Sequence, residues 1–203
     1  MPKIESSYGI RMDLNYYYWP GTWVQNRPGF FTGSGMPMCF ADFDGRTIDV
    51  YQQPSHLVNE SGMAFPQAVD TQLDRALGAE GYYGAFGTHY DFSDSFDRQL
   101  VQSAKSRSVP IVSVQQLLDW TDGRNSSRYS FVSWSGNTLN FTALVDAKAG
   151  SMMRAMIPVS SKKGTLTGIT KSGGTVPYSK ETIKGVRYAL FPIASGAYAA
   201  TYG

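Results

Sequence analysis

The hydrophobic period of this 203-residue chain changes near Gly123. Upstream, short apolar segments alternate with segments at 65–79 and 93–107 in which apolar residues recur at helical spacing. Downstream, apolar and polar residues alternate at 129–134 and 138–145. A helix buries a stripe with a period of about 3.6 residues, whereas a half-buried strand buries every second residue. The sequence therefore predicts two parts that are built differently.

The first part, residues 1–123, is predicted to be an α/β unit, because strands that alternate with helices favour a parallel sheet or part of an α/β barrel. It is expected to close with a buried strand at Val109–Val112 and a short helix from Val114 to Trp120. A polar, turn-rich linker at 122–127 follows. Short strands bounded by Gly, Pro or Ser then predict a small antiparallel β-sandwich over 124–203.

The charge changes sign at the same place. Residues 1–123 carry 8 Lys and Arg against 14 Asp and Glu, a net charge of −6. Residues 124–203 carry 10 against 2, a net charge of +8. This asymmetry indicates either two folding units with different surfaces, or a basic part that contacts an anionic partner such as a wall polymer or nucleic acid.

Composition excludes several classes of protein. Charged residues make up 17% and aromatic residues 14% of the chain, which does not fit intrinsic disorder. Cys39 is the only cysteine, so an internal disulfide framework and a cysteine-based zinc site are excluded. The sequence contains no apolar run of the roughly 20 residues that a membrane span requires. It also lacks a Gly-rich phosphate loop in the right context, an H-x-x-x-H spacing and a recognisable signal peptide.

Several polar side chains follow predicted strands, at the edge where α/β folds place their ligands. Asp13 follows the first strand, Gln52 and His56 follow the third, and His89 and Asp91 follow the fourth. His89 is the strongest catalytic candidate, because an imidazole can act near neutral pH as a general acid, a general base or a metal ligand. Asp91 and Asp13 are its candidate carboxylate partners, and Gln52 and His56 are candidate substrate contacts. The alternative for His89 is a loop histidine hydrogen-bonded to the backbone.

An aromatic cluster lies in a loop rich in Gly and Pro. Its candidate ligand-binding members are Tyr17, Trp19 and Trp23. Aromatic rings offer apolar faces with polar tips at a wet surface, so this cluster is predicted to form a platform on which sugars stack. An ordinary cluster of core and rim residues is the alternative interpretation.

Six strings in the sequence are distinctive in combination. They are G-I-R-M-D-L-N-Y-Y-Y-W-P at 9–20, G-S-G-M-P-M-C-F-A-D at 33–42, D-V-Y-Q-Q-P at 49–54, G-T-H-Y-D at 87–91, V-P-I-V-S-V-Q-Q-L-L-D-W at 109–120 and S-W-S-G-N-T-L-N-F-T at 133–142. With these strings the chain resembles the later part of bacterial secreted polysaccharide-deacetylase-like proteins of the NodB-homology type. The resemblance extends over most of the chain.

The resemblance implies a partial, deformed (β/α) barrel followed by a β-domain, and metal-dependent deacetylation of N- or O-acetylated glycans. The family's Asp-Asp and H-S/T-x-x-H metal motifs are absent here. Zinc or another divalent metal is therefore implied for the complete family member, and no cofactor is expected in this chain. His89 matches the general-acid histidine of the family's L-x-H motif, with Gly87 at the position of the leucine.

The expected function is that of a portion of a secreted, extracellular or cell-surface glycan deacetylase. It is expected to be inactive without the N-terminal metal-binding half of the barrel, which a longer chain or a partner chain would supply. The expected partners are a glycan and that missing half, with no nucleic acid and no membrane span. Two alternatives stay open: a non-catalytic carbohydrate-binding or wall-attachment module carried by 124–203, and an interaction protein whose acidic part docks a second chain.

Overall fold

The computed structural model of the protein describes residues 1–15, 35–59, 62–81, 84–90 and 94–203. The chain divides into two compact units, Met1–Val114 and Gln115–Gly203. Four α-helices and fourteen β-strands lie in these described ranges. No helix among them is long and apolar enough to cross a membrane.

Three helices belong to the first unit: α1 (Pro2–Ser7), α2 (Gln67–Leu77) and α3 (Asp94–Ser106). Helix α2 is amphipathic and buries Val69 and Leu73 on one face. These side chains form a small core cluster with Leu57 and with Phe96 of α3. The cluster holds the two longer helices of the unit against a short strand.

The strands of the first unit form two small sheets. β1 (Met12–Asp13) pairs in parallel with β3 (Thr47–Gln52), which also pairs antiparallel with β2 (Met38–Ala41). β4 (Ser55–Val58) pairs in parallel with β5 (Gly87–His89) in a separate two-stranded sheet. Each parallel pair is therefore short, and in the described ranges the two pairs are not joined into one continuous parallel sheet.

The prediction of a partial (β/α) barrel is wrong: the described part of the chain is mostly β-structure and shows no such barrel. A barrel requires parallel strands that continue around a closed sheet, each followed by a helix. Here β2 and β3 instead form an antiparallel hairpin around Gly45, whose φ of 82° suits a tight turn. The strand expected at Val109–Val112 is irregular chain, since Pro110 lacks the N–H that a ladder needs.

Helix α4 (Val114–Ser126) continues through the segment predicted to be a linker. The polar residues after Trp120 favour turns in isolation, but tertiary contacts hold them in the helix. The hydroxyl of Ser127 donates to the carbonyl of Gly123 at 2.6 Å and accepts a hydrogen bond from the backbone N–H of Asp146 at 3.0 Å. The chain passes from the first compact unit to the second at the start of α4.

Nine antiparallel strands and a 3-10 helix (Ala147–Ala149) between the second and third of them follow α4 in the second unit. In chain order the strands are β6 (Arg128–Ser135), β7 (Thr138–Leu144), β8 (Arg154–Pro158), β9 (Ser160–Ser161), β10 (Gly164–Lys171), β11 (Gly174–Thr175), β12 (Ser179–Ile183), β13 (Val186–Pro192) and β14 (Gly196–Tyr202). One sheet has the order β11-β10-β14-β7-β6, with β9 also paired to β10, and the other has the order β12-β13-β8. All of their pairings are antiparallel.

One core lies between these two sheets. Phe141 and Tyr198 of the larger sheet stack in parallel with ring centroids 5.3 Å apart, and Phe191 of the smaller sheet packs 5.9 Å from Tyr198. Ile157 and Ile169 belong to the same buried cluster. Side chains from both sheets therefore fill one apolar layer, as in a β-sandwich.

Candidate functional site

Asp13 and Gln52 lie side by side where β1 and β3 end. The parallel register pairs Asp13 with Gln52, and the backbone N–H of Gln53 donates to the carbonyl of Asp13 at 2.8 Å. The carboxylate of Asp13 accepts a hydrogen bond from the backbone N–H of Asn15 at 2.8 Å. Asp13 thus shapes the turn that follows its own strand, a common use of Asp.

His56 lies within β4 and is only 2% exposed. Its Nδ1 accepts a hydrogen bond from the backbone N–H of Gly87 at 3.3 Å, and its ring meets Phe86 edge-on at 5.5 Å. These contacts join β4 to the start of β5. The structure therefore places this candidate substrate contact inside the unit, where it ties two strands together.

His89 ends β5 opposite Val58 and is exposed. Asp13 is opposite Gln52 in the other sheet, so the two candidates end strands of different sheets. The structure therefore does not place these two candidates at the edge of one sheet. Asp91, the other candidate carboxylate, lies outside the described residues.

Two buried polar side chains cross-link the first unit, and sequence reasoning did not single out their contacts. Gln53 is 1% exposed, and its Nε2 donates to the carbonyl of Ala85 at 2.9 Å. The hydroxyl of Ser55 donates to the carbonyl of Leu14 at 2.9 Å. Because these bonds satisfy backbone carbonyls between elements, they stabilise the junction of the two small sheets.

The described residues do not fit a metal site. Within those ranges no group of three or more His, Cys, Asp or Glu side chains is placed to hold an ion. His56 is buried against Phe86, and His89 is exposed at the end of the neighbouring strand. No chemical step through zinc is therefore derived for this chain.

A second group of candidate residues lies on β6, the last strand of the larger sheet within the described ranges. The side chains of Tyr129, Phe131 and Trp134 are 48%, 85% and 45% exposed. We name these three the aromatic shelf. Tyr129 pairs with Ala143 and Trp134 with Leu139, residues that belong to or pack against the core. Tyr129 and Trp134 thus extend the core-facing side of the sheet to its edge.

Rings beneath the shelf support two of its members. Tyr129 meets Phe141 edge-on at 5.3 Å, and Trp134 packs at a tilt against Tyr202 at 5.4 Å. Phe141 and Tyr202 are both buried. The orientation of the two outer rings is therefore set by the sandwich core, which lowers the entropy lost when a ligand stacks on them.

Phe131 is displayed by an irregularity in β6. The register with β7 shifts between Ser130 and Ser133, and Phe131 has a φ of 52°. A bulky residue in this left-handed region carries a strain of about 1–2 kcal/mol. The bulge leaves Phe131 and Val132 both facing solvent, with Val132 60% exposed. A strained backbone that holds an apolar side chain in solvent, as at Phe131, is typical of a binding surface.

The phenols at this edge stay neutral at physiological pH. Burial raises the pKa of the Tyr129 hydroxyl above its ordinary value, and the neighbouring Tyr198 raises it further. Burial also raises the pKa of Tyr202. The rings therefore offer neutral hydroxyls and apolar faces, which suit an uncharged sugar ring.

The sequence prediction placed the sugar platform at Tyr17, Trp19 and Trp23, which lie outside the described residues. It treated 129–134 as a plain alternating strand and so missed the shelf. The available signal was the adjacent apolar pair Phe131-Val132, which breaks the alternation. Exposed neighbours of this kind indicate a bulge or a surface patch.

Comparison of the chain with protein-family models, with curated proteins and with solved structures finds no match.

Proposed function

We propose that this protein is a non-catalytic carbohydrate-binding protein that attaches to a polysaccharide through the aromatic shelf. The observation that carries this proposal is the row of three exposed aromatic side chains on β6, two of them supported by buried rings. Proteins seldom leave such side chains exposed together unless they bind something. A polysaccharide ligand further implies action at the cell surface or outside the cell.

The chemistry of the shelf suits sugars. A pyranose ring carries C–H groups on one face, and these pack against an aromatic ring while the hydroxyl groups stay in water. Tyr129 and Trp134 pair with Ala143 and Leu139, which are four residues apart on β7, so at about 3.3 Å per residue the shelf covers about 13 Å. That span accommodates several consecutive sugar units of an extended chain.

Deacetylation of the bound glycan is the enzymatic alternative, and it stays a prediction from the resemblance. The family's two metal motifs are absent from the sequence, so this alternative relies on a longer chain or a partner chain that supplies them. It is tested separately by measuring acetate release from acetylated glycans with zinc added. Binding through the shelf does not depend on that result.

The test is co-sedimentation of the full chain with insoluble cellulose, chitin, xylan and purified bacterial cell walls. Phe131→Ala and Trp134→Ala are each expected to weaken binding to the retained polymer by about tenfold. Phe43→Ala is the matched control, because Phe43 is a fully exposed phenylalanine in the β2–β3 turn. Circular dichroism checks the fold of Trp134→Ala, which loses its contact with Tyr202.

Two results would overturn the proposal. One is that the wild-type chain stays in solution with all four polymers. The other is that Phe131→Ala and Trp134→Ala bind as strongly as wild type and as Phe43→Ala. Because Phe131 makes little contact with the core, its substitution keeps the test valid even if Trp134→Ala unfolds.

A further inference from the structure

Three hairpin turns lie at one end of the second unit. They are Gly136–Asn137 between β6 and β7, Lys162–Lys163 between β9 and β10, and Lys184–Gly185 between β12 and β13. The positive φ angles of Lys184 and Gly185, 48° and 81°, are those of a tight two-residue hairpin turn. We name this region the turn end.

Backbone hydrogen bonds bring the three turns to the same end. After β8, Val159 donates to the carbonyl of Arg187 at 2.9 Å, so the chain that leads into the Lys162–Lys163 turn runs beside the start of β13. Tyr202 donates to the carbonyl of Asn137 at 2.9 Å, and Gly203 and Thr165 exchange two hydrogen bonds at 3.0 Å. The β6–β7 turn thus lies next to the start of β10.

The turn end is strongly basic. Lys162, Lys163, Lys184 and Arg187 are all exposed. None of the four forms an ion pair with a carboxylate in the part of the chain that the structure describes. Four positive charges close together repel one another, and an anionic ligand would relieve that repulsion. The turn end therefore favours binding of an anion.

The two acidic residues of 124–203 both lie outside the three turns. Asp146 follows β7 and accepts a hydrogen bond from the backbone N–H of Lys148 at 2.8 Å. Glu181 lies within β12, opposite Tyr188. The basic residues are widely spaced in the sequence, so this concentration of charge arises from the topology.

The shelf and the turn end adjoin each other through Trp134. Its ring packs against Tyr202, whose hydroxyl donates to the carbonyl of Pro158 at 2.9 Å. Pro158 ends β8, immediately before the segment that leads into the Lys162–Lys163 turn. Trp134 itself is one residue from the end of β6. A chain stacked on the shelf that continues past Trp134 therefore reaches the basic turns.

We propose that the polysaccharide is polyanionic, with sugar rings on the aromatic shelf and carboxylate or other acidic substituents on Lys162, Lys163, Lys184 and Arg187. This inference rests on the proposed function and adds the chemical class of the ligand. Charge complementarity supports it: the turn end supplies four ammonium or guanidinium groups, and none of its three turns contains an acidic residue. Contacts between exposed charges weaken with salt, whereas stacking does not.

The experiment is affinity electrophoresis of the full chain in gels that contain carboxymethylcellulose or hydroxyethylcellulose. The two polymers share one backbone, and only the first is anionic; the carboxymethyl and glycol derivatives of chitin form a second matched pair. Binding is expected to favour the anionic member of a pair and to weaken between about 0.05 and 0.5 M salt. Lys162→Gln/Lys163→Gln is expected to reduce affinity for the anionic polymer roughly threefold to tenfold.

Arg124→Gln/Lys180→Gln is the matched control, because it removes two exposed positive charges of the same unit that lie outside the turn end. It is expected to leave affinity nearly unchanged. Phe131→Ala is expected to weaken binding to the neutral and anionic polymers alike.

The outcomes separate the two proposals. Binding to the neutral and anionic polymers with equal affinity and no salt dependence overturns the anionic ligand but keeps the carbohydrate-binding function. Equal losses in the Lys162/Lys163 variant and its control also overturn it, since net charge alone would then explain the effect. Stronger binding to duplex DNA than to any polysaccharide, independent of Phe131, overturns both proposals in favour of a nucleic-acid ligand. Absence of binding to every polymer overturns the proposed function itself.

Discussion

The two units of this protein bury their chains in different ways. Gln115–Gly203 forms long antiparallel ladders around one core, in which Ile169, Ala189, Phe191 and Ala200 are completely buried. In the part of Met1–Val114 that the structure describes, short strands form two small sheets and the apolar core cluster has four buried members. Buried side chains such as Gln53 and Ser55 connect its segments through hydrogen bonds. Among the described residues, apolar burial is therefore more extensive in the second unit, and polar cross-links between segments are a feature of the first.

The largest expected effect tests this difference in cores. Phe191→Ala should lower the free energy of unfolding of the second unit by about 3–5 kcal/mol, because it leaves a cavity in a continuous core. Phe96→Ala is the matched change in the first unit, where the cluster of described residues around the ring has fewer buried members, and should have a smaller effect. Hydrogen exchange with mass spectrometry in increasing urea reports on each unit separately. If Phe96→Ala lowers the free energy of unfolding of its unit as much as Phe191→Ala or more, the two cores do not differ in the way proposed.

A second prediction concerns the helix that opens the second unit. In a solvent-exposed helix Gly→Ala stabilises by up to about 1 kcal/mol. At Gly123 an added Cβ would overlap the backbone of Ala149, so Gly123→Ala should instead destabilise the unit by about 1–3 kcal/mol. Ala149→Gly is the control, because it leaves the close approach of Gly123 to the backbone of residue 149 unobstructed. It should lower the free energy of unfolding by less than Gly123→Ala does. Stabilisation by Gly123→Ala in urea unfolding would mean that α4 does not pack against the Ala147–Ala149 turn.

This helix also shows where sequence reasoning fails. Residues 122–126 combine Asp, Gly, Arg, Asn and Ser, whose intrinsic preferences favour a turn, so they were predicted to be a linker. The close approach of Gly123 to Ala149 and the hydrogen bonds of Ser127 outweigh those preferences. The alternation at 138–145 was informative, because a strand with one buried face repeats every two residues whatever its partners are. The alternation of strands and helices in the first part was less informative, because short strand segments do not determine which strands pair with each other.

The position of the candidate site was not predictable from the sequence. Aromatic residues were expected to bind sugars, but the bulge at Phe131 depends on a register shift against β7 that the sequence does not reveal. The basic residues at Lys162, Lys184 and Arg187 look scattered along the chain and come together only through the order of the strands. The expected convergence of His89 with Asp13 depended on one parallel sheet, and the described strands belong to two.

A third prediction compares one buried hydrogen bond from each unit. Ser55→Ala removes the bond to Leu14, and Tyr202→Phe removes the bond to Pro158. Each change should lower the stability of its own unit by about 1 kcal/mol, since both leave a backbone carbonyl without its side-chain donor. If polar contacts are more important in the first unit, Ser55→Ala should reduce a larger fraction of that unit's total stability. Hydrogen exchange at the amides of β4 and β14 measures the two losses.

The smallest expected effect is the response of the first unit to acid. Arg107 bridges α2 and α3, with hydrogen bonds of 2.6 Å to Asp74 and 2.7 Å to Asp70. The hydrogen bond from Arg107 holds the pKa of Asp74 below its ordinary value. A carboxylate with a lowered pKa stabilises the fold above the pKa of the unfolded chain, and that contribution is lost as the pH falls through the folded pKa. The first unit should therefore lose stability below about pH 4.

Asp74→Asn removes this contribution at every pH, so the variant should be slightly less stable than wild type at pH 7 and should approach it in acid. The effect is small because the pair is exposed to solvent, and added salt should reduce it further. Asp119→Asn in α4 is the control and should leave the acid response of the first unit unchanged. The second unit, which has four carboxylate side chains against twelve in the first unit, should respond less to the same acidification. A parallel decline of both units on acidification, with Asp74→Asn behaving as wild type, would place the acid-sensitive groups outside the α2–α3 bridge.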